Sequence, residues 1–408
     1  ARQALAELPV PNRKQENWRY SAVEGLLKNS FQPTAGDATD LQGLDPQSWL
    51  LPSFETYRLV FANGHYVPQL SSSERLPAGV TLGNLRTALA SDSKWIANWF
   101  GQAAGHTEHL FTALNTALAN DGALLHIDEN TEVERPIEVI YLNPGQDDAS
   151  LIQPRNLVVL EAGAGATLVE RFIGSGEAPY FNNNLTEIAL REGASLAHYR
   201  IQDESRNAWH LGSLYLSQAQ QSRYQGTTLA FGGAWARTDY NARFRHEGTE
   251  CVLNGLYTAG DRQLTDFHLN VQHSVPGCTS RERFKGILYG KGRAVFDGRI
   301  LVDRQAQHSD AHLTNDNLML TRNAEVDTKP QLEIYADNVK CSHGTTVGQL
   351  DPEQVFYLRS RGITASAAHR MLCLGFADEI IDSIELQPLR DYAAQRLAAT
   401  LNEAVVEG

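Results

Sequence analysis

Phe284 to Val302 reads FKGILYGKGRAVFDGRILV, two short runs rich in Ile, Leu, Val and Phe on either side of a tight turn anchored by Gly292. The pattern recurs in NLVVLEAGAGATLVERF (156–172), LTEIALREGASLAHYRI (185–201), ARFRHEGTECVLNGLY (242–257) and NLMLTRNAEVDTKPQLEIY (317–335). Each reads as strand, tight turn, strand, because Gly and Asn take the backbone conformations such turns demand. With Gly165, Gly193, Gly248 and Gly292 as anchors, the spacings are 28, 55 and 44 residues, a loose recurrence without a fixed period. No helical pattern of convincing length interrupts the chain from about Leu124 to Gly348, which excludes an α/β parallel sheet. The repeated unit points to a β-solenoid; a sandwich is the alternative, but connections of Greek-key length are lacking.

Helical signals flank this region. From Ala1 to Phe31 two short helical patterns bracket PNRKQENWRY, with Trp18, Tyr20 and Leu26 as apolar anchors. YRLVFANGHYV (57–67) predicts a hairpin, since Asn63-Gly64 tolerates positive φ. Between Ser91 and Ala119, Trp95, Trp99, Leu110, Phe111, Leu114 and Leu118 fall on three- and four-residue steps, the spacing of a helix face. Downstream, Asp351, Pro352 and Gln354 form an N-terminal capping pattern, and Gly362 is placed to end that helix. A second helix follows Thr364 and a third opens at Pro388. These helices are expected to cap the last open strand edge of the solenoid. The predicted organisation is mainly β: residues 1–120 a helical region with a hairpin, 121–350 the solenoid core, and 351–408 a helical domain.

The formal charge is −13 over 408 residues, and no block of Lys and Arg is present to meet nucleic acid or an anionic membrane. No run approaches the ~20 apolar residues that span a bilayer, and the N-terminal residues lack a signal-peptide core, so a cytoplasmic address is expected. Cys251, Cys278, Cys341 and Cys373 are scattered without a CxxC pair, which fits a reducing compartment and argues against a complete four-thiolate cluster site. Neither a phosphate-binding loop nor a nucleophile elbow occurs, and EAGAGATL (161–168) lies between strands without the helix a dinucleotide site requires. An intrinsic nucleotide-dependent enzyme is therefore not expected.

Four groups of residues could carry chemistry. His308, Asp310 and His312 would share one face of a strand as a possible metal-ligand row. In TDFHLNVQH, Asp266, His268, Asn270 and Gln272 oppose Phe267, Leu269 and Val271, first of all a half-buried strand. Asp297 and Asp303, near Arg299 and Arg304, resemble the carboxylates of solenoid enzymes acting on polysaccharides, although exposed strand residues read the same way. Finally, Cys341 and His343 lie on one face of extended backbone, about 7 Å apart along the strand, and could act together on a metal or a sulfur species. Alone, either reads as a packed thiol or a hydrogen-bonded imidazole.

The run NLMLTRNAEVDTKPQLEIYADNVKCSHGTTVGQLDPEQVFYLRSRGI closely resembles the C-terminal signature of the SufD-type subunits of the SUF iron–sulfur cluster assembly system. The resemblance extends to RKQENWRY, LVFANGHYVPQLS, FTALNTALANDG, HSVPGCTSRERFKGILYGKGRAVFDGRI and SDAHLTNDNLML. It implies a right-handed parallel β-helix with helical flanks and a non-enzymatic subunit that pairs with SufB. It also implies docking of the ATPase SufC through the C-terminal helices, with Asp351, Phe356, Tyr357, Arg361 and Phe376 as expected contacts. Cys341 and His343 match family positions at the SufB interface, where they would serve cluster formation or only pack. SufB-type chains carry an EHEA-like sequence in place of CSHG and a cysteine aligned with Asn315 to Asn317; neither is present, so the resemblance is to the SufD branch. No tightly bound cofactor is implied for the isolated chain, only a transient Fe–S cluster shared with SufB. An isolated chain could also pair with a copy of itself.

Overall fold

The structure, a computed structural model, describes residues 1–21, 23–34, 48–91, 95–105, 109–144, 149–174 and 176–406. The N-terminal region holds α1 (Arg2–Glu7), α2 (Glu24–Leu27), β1 (Gln32–Pro33), β2 (Tyr57–Ala62), β3 (His65–Tyr66), β4 (Val80–Asn84), α3 (Leu85–Ala90) and α4 (Leu110–Leu118). Then come β5 (Ala123–Ile127), β6 (Glu132–Asn143), β7 (Ser150–Ile152), β8 (Arg155–Leu160), β9 (Gly165–Gly174), β10 (Tyr180–Leu190) and β11 (Ser195–Asp203). They continue as β12 (Ala208–Gln218), β13 (Arg223–Ala230), β14 (Trp235–Phe244), β15 (Glu250–Ala259) and β16 (Leu264–His273). The last are β17 (Thr279–Leu288), β18 (Arg293–Val302), β19 (Asp310–Met319), β20 (Glu325–Ile334) and β21 (Lys340–Gly348), before α5 (Pro352–Ser360), α6 (Ala365–Ile381) and α7 (Gln387–Val406).

From β8 onward the even-numbered strands form one sheet and the odd-numbered strands the other, each pairing in parallel with the strand two places away. The chain therefore winds as a parallel β-solenoid of about seven two-stranded coils. Register pairs Glu250 with Thr279 and Thr279 with Asp310, steps of 29 and 31 residues. At one corner a column of left-handed residues keeps this rhythm: Asn130, Gly163, Gly193, Gln221, Gly248, Gly277 and His308, with φ between 56° and 70°. Corner amides bond upward to the next coil, as Gly193 N–H does to Gln220 O (3.0 Å) and His308 N–H to Asn338 O (2.7 Å). The recurrence is thus regular. It read as loose because Gln221, Asn130 and His308 stand where glycine marks the other coils, and because Gly292 belongs to a different corner.

Inside, the period-2 pattern predicted for TDFHLNVQH holds: Phe267, Leu269 and Val271 join the core with Phe284, Phe296, Ile300 and Leu313. Burying each such side chain contributes roughly 1.5–3 kcal/mol. The Asn63-Gly64 hairpin also forms, with φ of 48° and 81°. Antiparallel β3 and β4 border the two sheets at the N-terminal end of the solenoid.

Helices cover the outer faces. Trp18, Val23, Leu26 and Phe111 pack on Phe181, Leu211 and Trp235 of the even-numbered sheet, and Arg237 lies 3.9 Å from the Trp18 ring centroid. The 91–119 helical pattern resolves into a short turn at Ile96–Asn98 and α4; residues 92–94 and 106–108 lie outside the described residues. Caps follow the sequence: Asp351 accepts from Glu353 N–H (2.9 Å), Thr364 from Ala367 N–H (3.3 Å), and Gly362 takes φ 86°. The expected capping role is not what α6 and α7 do. Ile380, Ile381, Ile384, Leu389 and Leu397 pack on Tyr199, Leu229, Leu256 and Ile287, along the flank of the odd-numbered sheet. Their apolar residues complement the outward residues of several coils, so these helices clamp the side and leave the end of the solenoid uncovered.

Candidate assembly surface at the open end of the coil

β20 and β21 close the strand order of their sheets, each paired among the described residues on one side, β20 with β18 and β21 with β19. Lys340 N–H bonds to Ser309 O (2.9 Å), so in this parallel ladder the alternate residues Cys341, His343 and Thr345 turn their backbone groups to the free edge. Their side chains point inward. Cys341 is in register with Ala311, His343 with Leu313 and Thr345 with Asn315, all three partners buried. On the facing strand, Thr328 stands over Phe296 and Leu332 over Ile300, and the Thr328 and Thr345 hydroxyls meet at 3.1 Å across the mouth. The last coil thus presents an inward row of thiol, imidazole and hydroxyl groups where earlier coils have core. Ile334, Tyr335 and Val347 are exposed at the same end.

Cys341 is half-buried against the core, and burial raises its thiol pKa, with the Asp310 and Glu282 carboxyls adding to the rise. His343 is exposed. The sequence pairing of these two residues on one face is what the strand delivers. Among the described residues, no group of three or more His, Cys, Asp or Glu side chains is arranged to hold a metal ion.

The other candidates separate. His308 is in the corner turn and not in the strand, so the predicted row loses its first member; Asn338 Nδ2 lies 3.2 Å from its Nδ1. Asp310 and His312 do share a face, 2.8 Å apart, beside Arg281 and Ser342. Asp266 is fully buried and paired with Arg237 beneath the N-terminal arm. Asp297 lines a cleft of about 610 Å³ between that arm and the even-numbered sheet, with His268, Arg299 and Lys329. Asp303 does not line that cleft and accepts from Gln272 (3.0 Å), so the two carboxylates do not converge as an acid–base pair.

Beyond the coil end, α5 buries no side chain: Phe356 is 73% and Tyr357 57% exposed, with Met371 of α6 at 51%. Arg361 covers one face of the Tyr357 ring at 5.1 Å. Phe376 faces the other way, packed into the flank with Lys285 Nζ 4.9 Å from its ring. Of the residues expected at a partner surface, Phe356, Tyr357 and Arg361 are presented to solvent, Asp351 caps the helix, and Phe376 holds the helices to the coil.

Sequence reading passed over Glu282, whose carboxyl is buried inside the coil; alternation in TSRERF, with Ser280 and Phe284 inward, is the signal that places it there. It also missed the buried set Glu170, His198 and Arg200. Asn315 and Asn317, where cysteine is absent, close a hydrogen-bonded triangle with Tyr257.

Residues 142–376 match the core domain of the SufB and SufD proteins of the SUF iron–sulfur cluster assembly system, and residues 1–139 match their N-terminal region. An iron–sulfur cluster assembly SufBD family protein of Synechocystis is 34% identical over 95% of this chain and 86% of its own length. The iron–sulfur cluster assembly protein SufD of Escherichia coli is 31% identical over 98% of this chain and 91% of its own length. SufD of Bacillus subtilis is 23% identical over 94% of this chain and 88% of its own length. With the solenoid, the flanking helices and both matched regions in one chain, this protein belongs to the SufBD family of iron–sulfur cluster assembly proteins, on its SufD-like side.

Proposed function

We propose that this chain is a non-enzymatic assembly subunit that pairs with SufB through the open end of its coil and docks the ATPase SufC through α5 and the start of α6. Cys341 and His343 contribute to a nascent Fe–S cluster site completed by SufB. The observation that carries this reading is the unpaired terminal coil, whose inward row offers a thiol and an imidazole at the point where a second solenoid would continue the stack. A neutral imidazole and a thiolate are both iron ligands, and the remaining ligands would come from the partner. The cluster is cargo here and is not held by the isolated chain.

The test is anaerobic cluster reconstitution of the full chain with SufB and SufC. His343→Ala should lower cluster yield while the complex stays intact by size-exclusion chromatography; normal loading would remove the ligand role. A second reading, in which the pair only packs the interface, draws on the half-buried, raised-pKa Cys341. His343→Gln separates the two, because it keeps size and hydrogen bonding but not iron ligation, and near-normal yield would favour packing.

A further inference from the structure

Glu282 is 2% exposed, and among the described residues neither carboxyl oxygen has a partner within ordinary hydrogen-bond distance, the Ser280 hydroxyl and its own backbone N–H giving only weak pulls. The Ser280 hydroxyl, on the same inward row, is 3.0 Å from His273 Nε2. Register puts Leu253 of β15 on one side of Glu282 and Leu313 of β19 on the other, with His343 of β21 beyond Leu313. Titratable groups around it are the thiols of Cys251 and Cys341, His273, and Arg281 on its own strand. Burial pushes the Glu282 carboxyl up to about 8 from 4.5, against smaller downward pulls from Ser280 and Arg281. A buried carboxyl left unpaired destabilises the state that encloses it, and such a group calls for an explanation beyond packing.

Toward the N-terminus, Glu282 is sealed by the long stack of earlier coils; toward the C-terminus, only the strands β19 and β21 and their facing partners separate it from solvent. We infer that Glu282 is a proton-controlled latch on the last two coils, protonated when they are closed and ionised when β19 and β21 open to water. Opening then releases a proton, so the closed end is favoured as pH falls and loosened as pH rises. The exchange behaviour stands on this geometry alone; its consequence for assembly rests on the reading of the open end as the docking face, where a closed coil is the form that a partner can stack upon.

Native-state hydrogen exchange on the full chain, followed by mass spectrometry of peptides from β19 and β21, tests it. After correction for intrinsic rates, the opening constant of β19 amides that bond back to β17, Asp310 N–H to Cys278 O among them, should rise with pH. The expected slope is about tenfold per pH unit from about 5 until it flattens near 8, because one proton leaves on opening. Glu282→Gln should remove that slope and lower opening at pH 7, by up to about 100-fold, and Glu282→Leu should do the same. A wild-type opening constant that does not change with pH, or a slope that survives in both variants, would overturn the latch. An equal slope in peptides from β11 and β13 would overturn it too, since it would place the proton elsewhere. Failure of His343→Ala to affect cluster yield would count against the assembly site without touching this result.

Discussion

His343 stands in register over Leu313, one strand further out on the same inward row, and Leu313 is 1% exposed where His343 is open to solvent. One step along the coil axis thus changes a core position into a surface one without any change in backbone geometry. What covers Leu313 is the next coil; His343 has no such cover among the described residues, because α6 and α7 are committed to the flank.

The free edge of β21 can be blocked without harming the fold. Thr345 turns its backbone N–H away from β19, so Thr345→Pro removes a donor offered to a partner and no bond of the native ladder. Association with SufB, or of isolated chains with one another, should weaken at least about tenfold by analytical ultracentrifugation, with the melting temperature nearly unchanged. Thr346→Pro is the control: its N–H faces β19, and it should lower the melting temperature. Unchanged association in Thr345→Pro would show that the edge is not the pairing surface.

Phe356 and Tyr357 contribute little to the stability of the free chain, because α5 buries nothing. Phe356→Ala should leave thermal unfolding within measurement error yet weaken SufC docking by about 2 kcal/mol, the usual loss for an aromatic anchor. Phe376→Ala should do the reverse first, lowering stability by about 3 kcal/mol through a cavity in the flank. Calorimetric titration beside differential scanning calorimetry distinguishes the two effects. Equal SufC affinity for Phe356→Ala and wild type would remove α5 from the docking surface.

Two further buried groups should loosen the coil in acid, the first of them against the opposite pull of Glu282 in an overlapping pH range. Burial holds His273 down to about 4 from 6.5, against a smaller upward pull from Asp310. A depressed pKa contributes stability that is present above 6.5 and lost as pH falls through 4. Glu170 is raised by burial but held down to about 2 from 4.5, chiefly by Arg200 and His198, so its contribution is lost between 4.5 and 2. In urea titrations, His273→Gln should gain about 3 kcal/mol on the wild type between pH 7 and pH 4 and leave the lower step unchanged. No such gain would mean that His273 is not the group responsible.

Much of this was legible in the chain. Alternation fixed which residues of β16 face inward, and Asn63-Gly64, Asp351 and Gly362 each encode a local geometry that neighbours need not supply. What failed did so for physical reasons. Coil length was obscured because a left-handed corner accepts Gln221 and His308 at modest strain, so glycine spacing alone undercounts the turns. The destination of α6 and α7 is a tertiary matter: an apolar helix face states that it will be buried, not against which surface. His343 could be paired with Cys341 from spacing, but its exposure depends on the coil ending there.

His308 provides the sharpest check on the corner column, since it read as a metal-ligand candidate and sits at φ 62° instead. A β-carbon in that conformation costs about 1–2 kcal/mol, so His308→Gly should relieve strain and offset the added chain entropy, leaving stability equal or higher by about 0.5 kcal/mol. Among the described residues, its side chain's hydrogen-bond contact is the exposed one with Asn338. At Gly277 an added methyl would have no atom within 4 Å, but φ is 69°, so Gly277→Ala should cost about 1 kcal/mol through the backbone alone. At Gly286 a methyl would meet the Tyr257 ring at 2.3 Å and Asn317 at 2.6 Å, so Gly286→Ala should be far worse, breaking the Tyr257–Asn315–Asn317 triangle. Thermal midpoints ranked His308→Gly, Gly277→Ala, Gly286→Ala from highest to lowest would support the column. A large loss in His308→Gly would instead give that imidazole a role that its corner geometry does not supply.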